Sequence, residues 1–244
     1  MRRIYKYTFL AFSAMASFCF ASCSSDENTP SVPVPSAEGT YIDTRDGDTY
    51  HWVRYGSQEW MTENFRYNTG NAGCTIYQST EDYAYDEHHQ SEADAFKRKT
   101  NLPKYGRLYT YQQAQQACPE GWRIPTDDDW KNLEKTFGMS SGDAGKREWR
   151  GNCAKNMMDE YNDTTILGLR LGGFYDTYLE MGVSNWRMFG IFGFYWTSTQ
   201  DEDKASLGEY YFYRKIAYNK SSVYRESMEK DKNQISLRLV RDAQ

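Results

Sequence analysis

Residues 105–133 have the sequence YGRLYTYQQAQQACPEGWRIPTDDDWKNL, the stretch that says most about the fold. Alanine, glutamine and tyrosine dominate residues 109–118 and predict a helix there, which Pro119 must end because proline cannot continue a helix. Thr126 predicts the N-cap of a second helix, and Asp129, three residues later, completes a capping box. The stretch therefore predicts two short helices close together in the chain.

The second predicted helix has an acidic start and one apolar face. Asp127 and Asp128 suit the positive end of the helix dipole, so capping explains the three consecutive aspartates better than a metal site does. Trp130, Leu133 and Phe137 fall on one face at helical spacing. This face is expected to pack into the core.

The chain on both sides of these helices has the pattern of short β-strands. Residues 40–62 form β-rich runs around two turn signals, Asp46-Gly47 and Gly56, which predicts a hairpin or meander. From Leu167 onward, glycines recur among aromatic residues and predict short strands joined by tight turns. The predicted fold class is therefore α+β, with two short helices and an irregular, aromatic-rich, antiparallel β half.

Aromatic residues supply an unusual share of the expected core. The sequence contains 21 Tyr and 7 Trp, so rings must provide much of the packing that aliphatic side chains normally provide. Between Tyr210 and Tyr213, aromatic residues occupy both faces of a predicted strand. One of these faces is expected to contact something other than the core.

The N-terminus has the pattern of a bacterial lipoprotein export signal. Basic residues precede an apolar run that is too short to span a bilayer. Phe-Ala-Ser-Cys, which ends at Cys23, resembles a lipobox and predicts a signal peptide over residues 1–22 with lipidation of Cys23; an ordinary secretory peptide is the alternative. Prolines and polar residues then predict a disordered tether over residues 23–39, followed by a single domain over residues 40–244.

Charge argues against nucleic-acid partners and for a lipid anchor. The net charge is −5, and loss of the basic signal peptide makes the protein still more acidic, which disfavours phosphate backbones and anionic lipid. Acyl chains on Cys23 are then the expected membrane contact, in the outer membrane. Residues 24–27 resemble the acidic export signal of Bacteroides-type surface lipoproteins, which predicts display on the cell surface; a periplasm-facing location is the alternative.

Three cysteines remain in the domain, Cys74, Cys118 and Cys153. Disulfides form in the oxidising compartment that an exported protein enters. An odd count leaves one thiol over, and spacing alone does not establish a connectivity. We expect Cys74 to pair with Cys118.

A long polar segment over residues 68–103 predicts an irregular insertion, and loops of this length are uncommon unless they carry function. It contains His88 and His89, whose adjacent imidazoles could reach one metal ion. A zinc site needs three or four ligands in fixed geometry, and the sequence shows no spaced partner. We therefore expect a solvated loop and no metal site, and we expect His51 at the surface or edge of a strand.

Four separated motifs match one family in the expected order. They are RDGDTYHWVRYGSQEWMTENF (residues 45–65), KYGRLYTYQQAQQACPEGWRIPTDDDW (104–130), GFYWTST (193–199) and SLRLVRD (236–242). The chain resembles the Fibrobacter succinogenes major paralogous domain family over residues 41–242. The resemblance implies a C-type-lectin-like fold, shared with the formylglycine-generating, sulfatase-modifying enzymes. It also implies core positions for four tryptophans inside the motifs, namely Trp60, Trp122, Trp130 and Trp196.

Departures from the family pattern argue against catalysis. Family members commonly have V-R-C-V near the end, whereas residues 237–240 lack the cysteine. Formylglycine-generating enzymes bind copper through C-terminal cysteines, and this chain has no cysteine beyond Cys153. The sequence has no Gly-x-Ser-x-Gly elbow, phosphate loop or dinucleotide fingerprint. We therefore expect no cofactor and no enzymatic activity, and rank a hydrolase third among the possible functions.

Binding is the activity that the aromatic composition favours. Tyr and Trp present flat apolar faces with polar tips, which suit both sugar rings and protein hot spots. Asn185, Trp186 and Phe189 are expected in a loop that presents Trp186 to a ligand; the alternative is that Trp186 closes the core. The Glu-Pro-Asn and Trp-Asn-Asp motifs of calcium-dependent lectins are absent.

The leading hypothesis is a non-enzymatic surface lipoprotein that presents a lectin-like domain to an extracellular glycan or protein. The alternative is a structural or accessory subunit of an outer-membrane protein assembly. Arg123 and Arg238 are expected to hold the scaffold together by pairing with buried polar groups, which is a structural role.

Overall fold

The described part of the chain forms an α+β fold that is mainly β. A computed structural model describes residues 32–70, 74–76, 101–158, 167–177 and 186–243. Two open sheets and a few short helices make up these residues. The predicted α+β class is therefore confirmed, while the C-type-lectin-like fold stays a prediction.

The first sheet joins the start of the domain to its C-terminal segment. Its strands are β1 (Ala37–Ile42), β2 (Thr49–Tyr55), β3 (Gln58–Met61) and β13 (Val240–Asp242), antiparallel and in the order β1-β2-β3-β13. Gly47 (φ 78°) and Gly56 (φ 60°) have the left-handed backbone that glycine adopts without strain, which confirms the two predicted turns. Residues 37–39 belong to β1, so ordered pairing begins before the predicted domain start at residue 40.

The second sheet contains the remaining strands. They are β4 (Cys74–Thr75), β5 (Leu108–Tyr109), β6 (Glu148–Arg150), β7 (Phe174–Asp176), β8 (Trp186–Arg187), β9 (Phe192–Gln200), β10 (Tyr210–Ala217), β11 (Val223–Glu229) and β12 (Asn233–Ser236). The main order is β4-β5-β12-β9-β10-β11-β6, while β7 pairs with β12 and with β8. The β half was predicted to be antiparallel, but among the described residues Ser236 of β12 pairs in parallel with Tyr195 of β9, and Gly173 forms a parallel bridge with Gly193 of β9.

Both predicted helices are present, with further short ones. The helices are α1 (Tyr111–Ala117), α2 (Asp127–Thr136), α3 (Ser141–Ala144) and α4 (Ala154–Met157), with a 3-10 turn at Glu202–Lys204 and helical residues at 101–105. α1 begins later than predicted because Tyr109 belongs to β5 and Thr110 is the N-cap. Helices of a single turn are too short to produce a helical periodicity in the sequence. Within the described ranges, no helix is long and apolar enough to cross a membrane.

α2 begins as the sequence predicts. The Thr126 hydroxyl accepts a hydrogen bond from the Asp129 amide (3.0 Å), and the Asp129 carboxylate accepts one from the Thr126 amide (2.7 Å). Arg123 forms ion pairs with Asp129 and with Asp242 of β13 (3.1 Å), which confirms its scaffolding role. The residues of the predicted apolar face are buried, namely Trp130, Leu133 and Phe137.

The core lies on both faces of β9 and β10. On one face, the ring centroid of Tyr195 lies 5.7 Å from that of Trp130 in α2, and Trp130 packs edge-on against Trp60 of β3 at 5.1 Å. On the other face, Trp196 packs edge-on against Tyr111 of α1 at 5.7 Å. The four tryptophans predicted to be core residues are at most 5 % exposed, which confirms those positions: Trp60, Trp122, Trp130 and Trp196.

A group of buried charges, called here the arginine cluster, connects α2 to the central strands. It consists of Asp127, Glu134, Arg150, Arg214 and Arg225. Asp127 accepts hydrogen bonds from Arg214 (2.8 Å) and Arg225 (2.7 Å). Glu134 accepts hydrogen bonds from Arg214 and Arg150, each at 2.6 Å. Burial alone would raise the pKa of Asp127, but its hydrogen bond with Arg225 and the charge of Arg214 outweigh burial and lower this pKa.

Arg238 is completely buried and joins separate segments of the chain. It donates hydrogen bonds of 2.7–3.0 Å to the carbonyl oxygens of Met61, Leu167 and Gly168 and to Oδ1 of Asn64. Burial lowers the pKa of the Arg238 guanidinium. These contacts confirm that Arg238 holds the scaffold together by pairing with buried polar groups.

Candidate functional site

A continuous row of aromatic rings crosses the second sheet, on the face opposite to Tyr195. It runs from β7 through β9, β10 and β11 to β6 and consists of Phe174, Phe194, Tyr213, Tyr224 and Trp149. In that order, neighbouring ring centroids are 5.2, 6.0, 6.2 and 5.2 Å apart. We call this set the aromatic row.

Strand alternation and register place these rings on one face. Lys215 of β10 lies opposite Phe194 of β9 and Tyr224 of β11, and Tyr224 lies opposite Trp149 of β6. Tyr213 is two residues from Lys215 in β10, so its side chain points to the same face. Side chains that are directly paired across strands have Cβ atoms ~4.5–5.5 Å apart, which brings large rings into contact.

Exposure changes along the aromatic row. Phe194 and Tyr213 are 8 % and 9 % exposed, whereas Phe174, Tyr224 and Trp149 are half-buried. The aromatic row therefore has a fixed centre and two accessible ends.

A cleft with a volume of about 280 Å³ opens at the β7 end of the aromatic row. Its apolar wall is formed by Phe174, Phe194, Tyr213, Met228 and Ile235. Its polar groups come from Tyr210, Ser227, Glu229, Lys232 and Asn233. An apolar wall with a few polar groups is the usual composition of a small-molecule site. Pockets for drug-sized ligands have volumes of ~300–1,000 Å³, and this cleft is slightly smaller, so it suits a small ligand such as one sugar ring.

Lys215 places a positive charge within the aromatic row. Its Nζ lies 3.8 Å from the ring centroid of Tyr224, 5.1 Å from that of Trp149 and 5.3 Å from that of Phe192. An ammonium within about 6 Å of a ring centroid is attracted by the ring quadrupole. Burial lowers the pKa of Lys215. The row thus combines apolar faces with a partly desolvated cation.

The structure places Trp186 away from the aromatic row. Trp186 is half-buried in β8, lies opposite Tyr175 of β7 and packs edge-on against its ring at 5.0 Å. Because Phe174 and Tyr175 are consecutive in β7, their side chains point to opposite faces. Phe174 belongs to the aromatic row, so Trp186 lies on the other side of this strand.

The other two residues predicted to bind a ligand are also not part of the row. Phe189 is half-buried and packs edge-on against Tyr105 at 4.6 Å, while Asn185 lies outside the described residues. A ligand-binding role for Asn185, Trp186 and Phe189 stays a prediction. Sequence reasoning missed the row because its rings come from five strands; the signal that pointed to it was the aromatic content of both faces of β10.

A second groove, of about 490 Å³, lies on the first sheet and is lined in part by Gly39, Thr40, His51 and Trp52. The Trp52 indole nitrogen donates to the Thr40 carbonyl oxygen at 3.3 Å. His51 has a side chain 65 % exposed, with Nδ1 2.6 Å from Glu63 Oε1, which confirms its predicted surface position. Trp52 is the one Phe, Tyr or Trp side chain in the described lining of this groove, so the groove is a poorer platform for stacking than the aromatic row.

The cysteine predictions have different outcomes. Cys118 carries a free thiol that donates to the Ala114 carbonyl oxygen (3.3 Å), so the predicted disulfide with Cys74 is not formed in this structure; the Cys74 side chain lies outside the described part of the chain. Burial raises the pKa of the Cys118 and Cys153 thiols to about 12, so neither is a reactive thiolate at neutral pH. Cys23 and the signal peptide lie outside the described residues, and lipidation stays a prediction.

Metal-ligand clusters are absent from the described residues. Within those ranges, no group of three or more His, Cys, Asp or Glu side chains is placed to hold a metal ion. His88 and His89 lie outside the described ranges, so their assignment to a solvated loop stays a prediction.

Comparison with known proteins gives one match. The model of the family described as Fibrobacter succinogenes major domain matches residues 53–241. This range contains the whole aromatic row. No curated protein and no solved structure matches the chain.

Proposed function

The chain belongs to the Fibrobacter succinogenes major domain family, whose model matches residues 53–241. We propose that this domain is a non-enzymatic binding domain for an extracellular glycan. The observation that carries the proposal is the aromatic row with its adjoining cleft. Sugars have apolar C–H faces and hydroxyl edges, so a wall of rings beside hydrogen-bonding groups suits them.

The shape of the row favours a glycan over a protein ligand. A stable protein interface buries about 800 Å² on each partner. The centre of the row is itself buried, and its open parts are the 280 Å³ cleft and the half-buried rings at its ends. Such separate, small contact areas match single sugar units along a chain.

We also propose a C-type-lectin-like fold for the domain. The support is the likeness of residues 123–130, RIPTDDDW, to the corresponding motif of the sulfatase-modifying enzymes. Thr126 and Asp129 of this motif form the capping box that begins α2, which explains why the motif has these residues at this spacing. An experimental structure whose strand order differs from that of C-type-lectin-like domains would contradict the proposal.

We also propose a subcellular location: a lipid anchor holds the protein in the outer membrane, and the domain lies outside the cell. Its support is the lipobox-like sequence that ends at Cys23 and the acidic residues that follow it. Protease added to intact cells should then digest the protein, and Cys23→Ala should abolish its acylation and its retention in the membrane. Protection from the protease would place the domain in the periplasm instead.

Binding is tested with purified full-length protein on a panel of host, dietary and microbial polysaccharides. A glycan that binds the wild type should bind Trp149→Ala at least about tenfold more weakly, because the loss of one stacking ring removes ~1.4 kcal/mol or more. Trp186→Ala is the matched control, since it removes the same side chain from a half-buried position outside the aromatic row. Circular dichroism checks that both variants are folded.

Two results would change the proposal. Loss of binding in Trp186→Ala with retention in Trp149→Ala would move the site to the loop that the sequence predicted. Absence of any binding by folded wild-type protein would end the glycan proposal and favour the accessory role in an outer-membrane assembly.

A further inference from the structure

The positive charge of the lysines beside the aromatic row favours a negatively charged glycan. Resting on the proposed glycan-binding function, we propose that the row binds sugars that carry a carboxylate, and that Lys215 and Lys220 are the groups that recognise it. The ligand class is thus a uronic-acid-containing oligosaccharide.

Two lysines flank the same ring at the β6 end of the row. The Nζ atoms of Lys215 and Lys220 each lie 5.1 Å from the ring centroid of Trp149. The two positive charges are therefore no farther apart than twice that distance, and they repel each other. Lys220 is exposed and Lys215 is half-buried, so an anion can reach the pair from solvent.

Neither lysine has a carboxylate partner among the described residues. Other described lysines do form ion pairs, among them Lys131, Lys146, Lys204 and Lys230. Glu226, on the same face of β11, is engaged instead by Arg147 (2.6 Å) and Lys204 (3.2 Å). Glu148 lies opposite Arg225 in the register and, after burial and Glu226, contributes to raising the pKa of Tyr224, so it lies near the row without forming an ion pair with either lysine.

The chain is acidic, yet Lys215 and Lys220 form no ion pair with a carboxylate of the described residues. Asp and Glu number 34 against 29 Lys and Arg, so two adjacent lysines without a carboxylate form a local positive patch on a negative protein. Burial lowers the pKa of Lys215, and no neighbouring carboxylate offsets this effect. A ligand carboxylate would supply the missing counter-charge in surroundings where water screens it only in part.

The geometry matches a sugar acid. A uronic acid has its carboxylate attached directly to a pyranose ring, so one residue offers an apolar face and an anion side by side. The Lys215 Nζ lies 3.8–5.3 Å from the ring centroids of Tyr224, Trp149 and Phe192. A sugar ring stacked on Trp149 or Tyr224 would then hold its carboxylate within reach of an ammonium that has three donors.

The test uses matched pairs of oligosaccharides and the full-length protein. Galacturonate, glucuronate and mannuronate oligosaccharides are titrated beside their carboxyl-reduced, neutral forms, by calorimetry at low salt. At least one acid form should bind about tenfold tighter than its neutral form, the value of one hydrogen bond between charged groups. Lys215→Met and Lys220→Met should each reduce this preference, and high salt should weaken it.

Two variants separate loss of carboxylate recognition from nonspecific effects of removing a lysine. Lys135→Met removes an exposed lysine of α2 and should keep the full preference. Lys220→Met alters an exposed side chain, so it tests the inference even where Lys215→Met disturbs ring packing.

Three results would overturn the inference. Equal binding of acid and neutral forms, or binding of neutral panel glycans alone, would refute it while leaving the glycan-binding function standing. A preference that survives in the Lys215→Met/Lys220→Met double variant would also refute it. No binding to any glycan, acid or neutral, would refute both the inference and the proposed function.

Discussion

Arg238 illustrates how one side chain can hold distant segments together. Its guanidinium donates to three buried carbonyl oxygens, those of Met61, Leu167 and Gly168. Arg238→Met would fill much of the same volume but leave these acceptors without donors, and each orphaned buried acceptor costs ~1–3 kcal/mol. We expect the variant to lower the free energy of unfolding by at least ~3 kcal/mol, as measured by urea denaturation with tryptophan fluorescence.

Lys135→Met provides the comparison for Arg238→Met, because it removes a cation from an exposed position on α2. A surface change of this kind normally alters stability by less than ~0.5 kcal/mol. If Arg238→Met cost no more than this control, the buried hydrogen bonds of Arg238 would not stabilise the fold as argued.

Asp127 shows what local sequence can and cannot reveal about a residue. Its place at the start of α2 follows from the helix dipole and from Thr126, because both act within one helical turn. Its burial between Arg214 and Arg225 does not follow, since these arginines lie 87 and 98 positions further along the chain. The sequence therefore predicted the helix start correctly but missed the arginine cluster.

At the scale of elements, the N-terminus of α2 depends on a single hydroxyl. Thr126 Oγ1 accepts the hydrogen bond from the Asp129 amide at 3.0 Å. Thr126→Ala should therefore cost ~1 kcal/mol, within the usual range for loss of an N-cap. Thr126→Ser keeps the acceptor and should remain close to wild type in urea denaturation followed by circular dichroism. Equal losses in both variants would mean that the methyl group, and not the cap, stabilises the helix.

Elements with a strong local signal were predictable, and very short ones were not. The capping box, Pro119, and the glycine turns at Gly47 and Gly56 each act through neighbouring residues, so the helices and the first hairpin follow from sequence. β4, β5 and β6 span two or three residues each. A run that short cannot show an alternation, and it becomes a strand only because its partner strand is in place.

At the scale of the whole molecule, the candidate site depends on strand order. One face of the strand that contains Tyr213 was expected to contact something other than the core, and Tyr213, which is itself buried, lies in the aromatic row. Its neighbours Phe194, Tyr224 and Trp149 come from β9, β11 and β6, and β6 precedes β11 by a long stretch of chain. No local pattern encodes that pairing, so the row as a unit could not be derived from one sequence.

Buried carboxylates should make the whole domain less stable at acid pH. Burial alone would raise the pKa values of Asp127, Asp129 and Glu59. Hydrogen bonds from arginines outweigh burial, so the pKa of each of the three carboxyl groups is lowered. A carboxylate whose pKa is lower in the folded state contributes stability above its unfolded value, which is 3.8 for aspartate, and this contribution is lost as pH falls further. We therefore expect the free energy of unfolding to be level from about pH 7 to 5 and to fall steeply below about pH 4.

Asp127→Asn tests whether the arginine cluster is the source of this acid sensitivity. It removes one charge of a buried network, so it should cost ~3–5 kcal/mol at pH 7 and should flatten the loss of stability below pH 4, because asparagine does not titrate. Asp128→Asn makes the same change at a neighbouring side chain that is 84 % exposed, and it should alter neither quantity appreciably. Urea denaturation of the wild type and both variants between about pH 2.5 and pH 7 measures these slopes. An acid slope in Asp127→Asn as steep as that of the wild type would assign the acid sensitivity to the other carboxylates, among them Asp129 and Glu59.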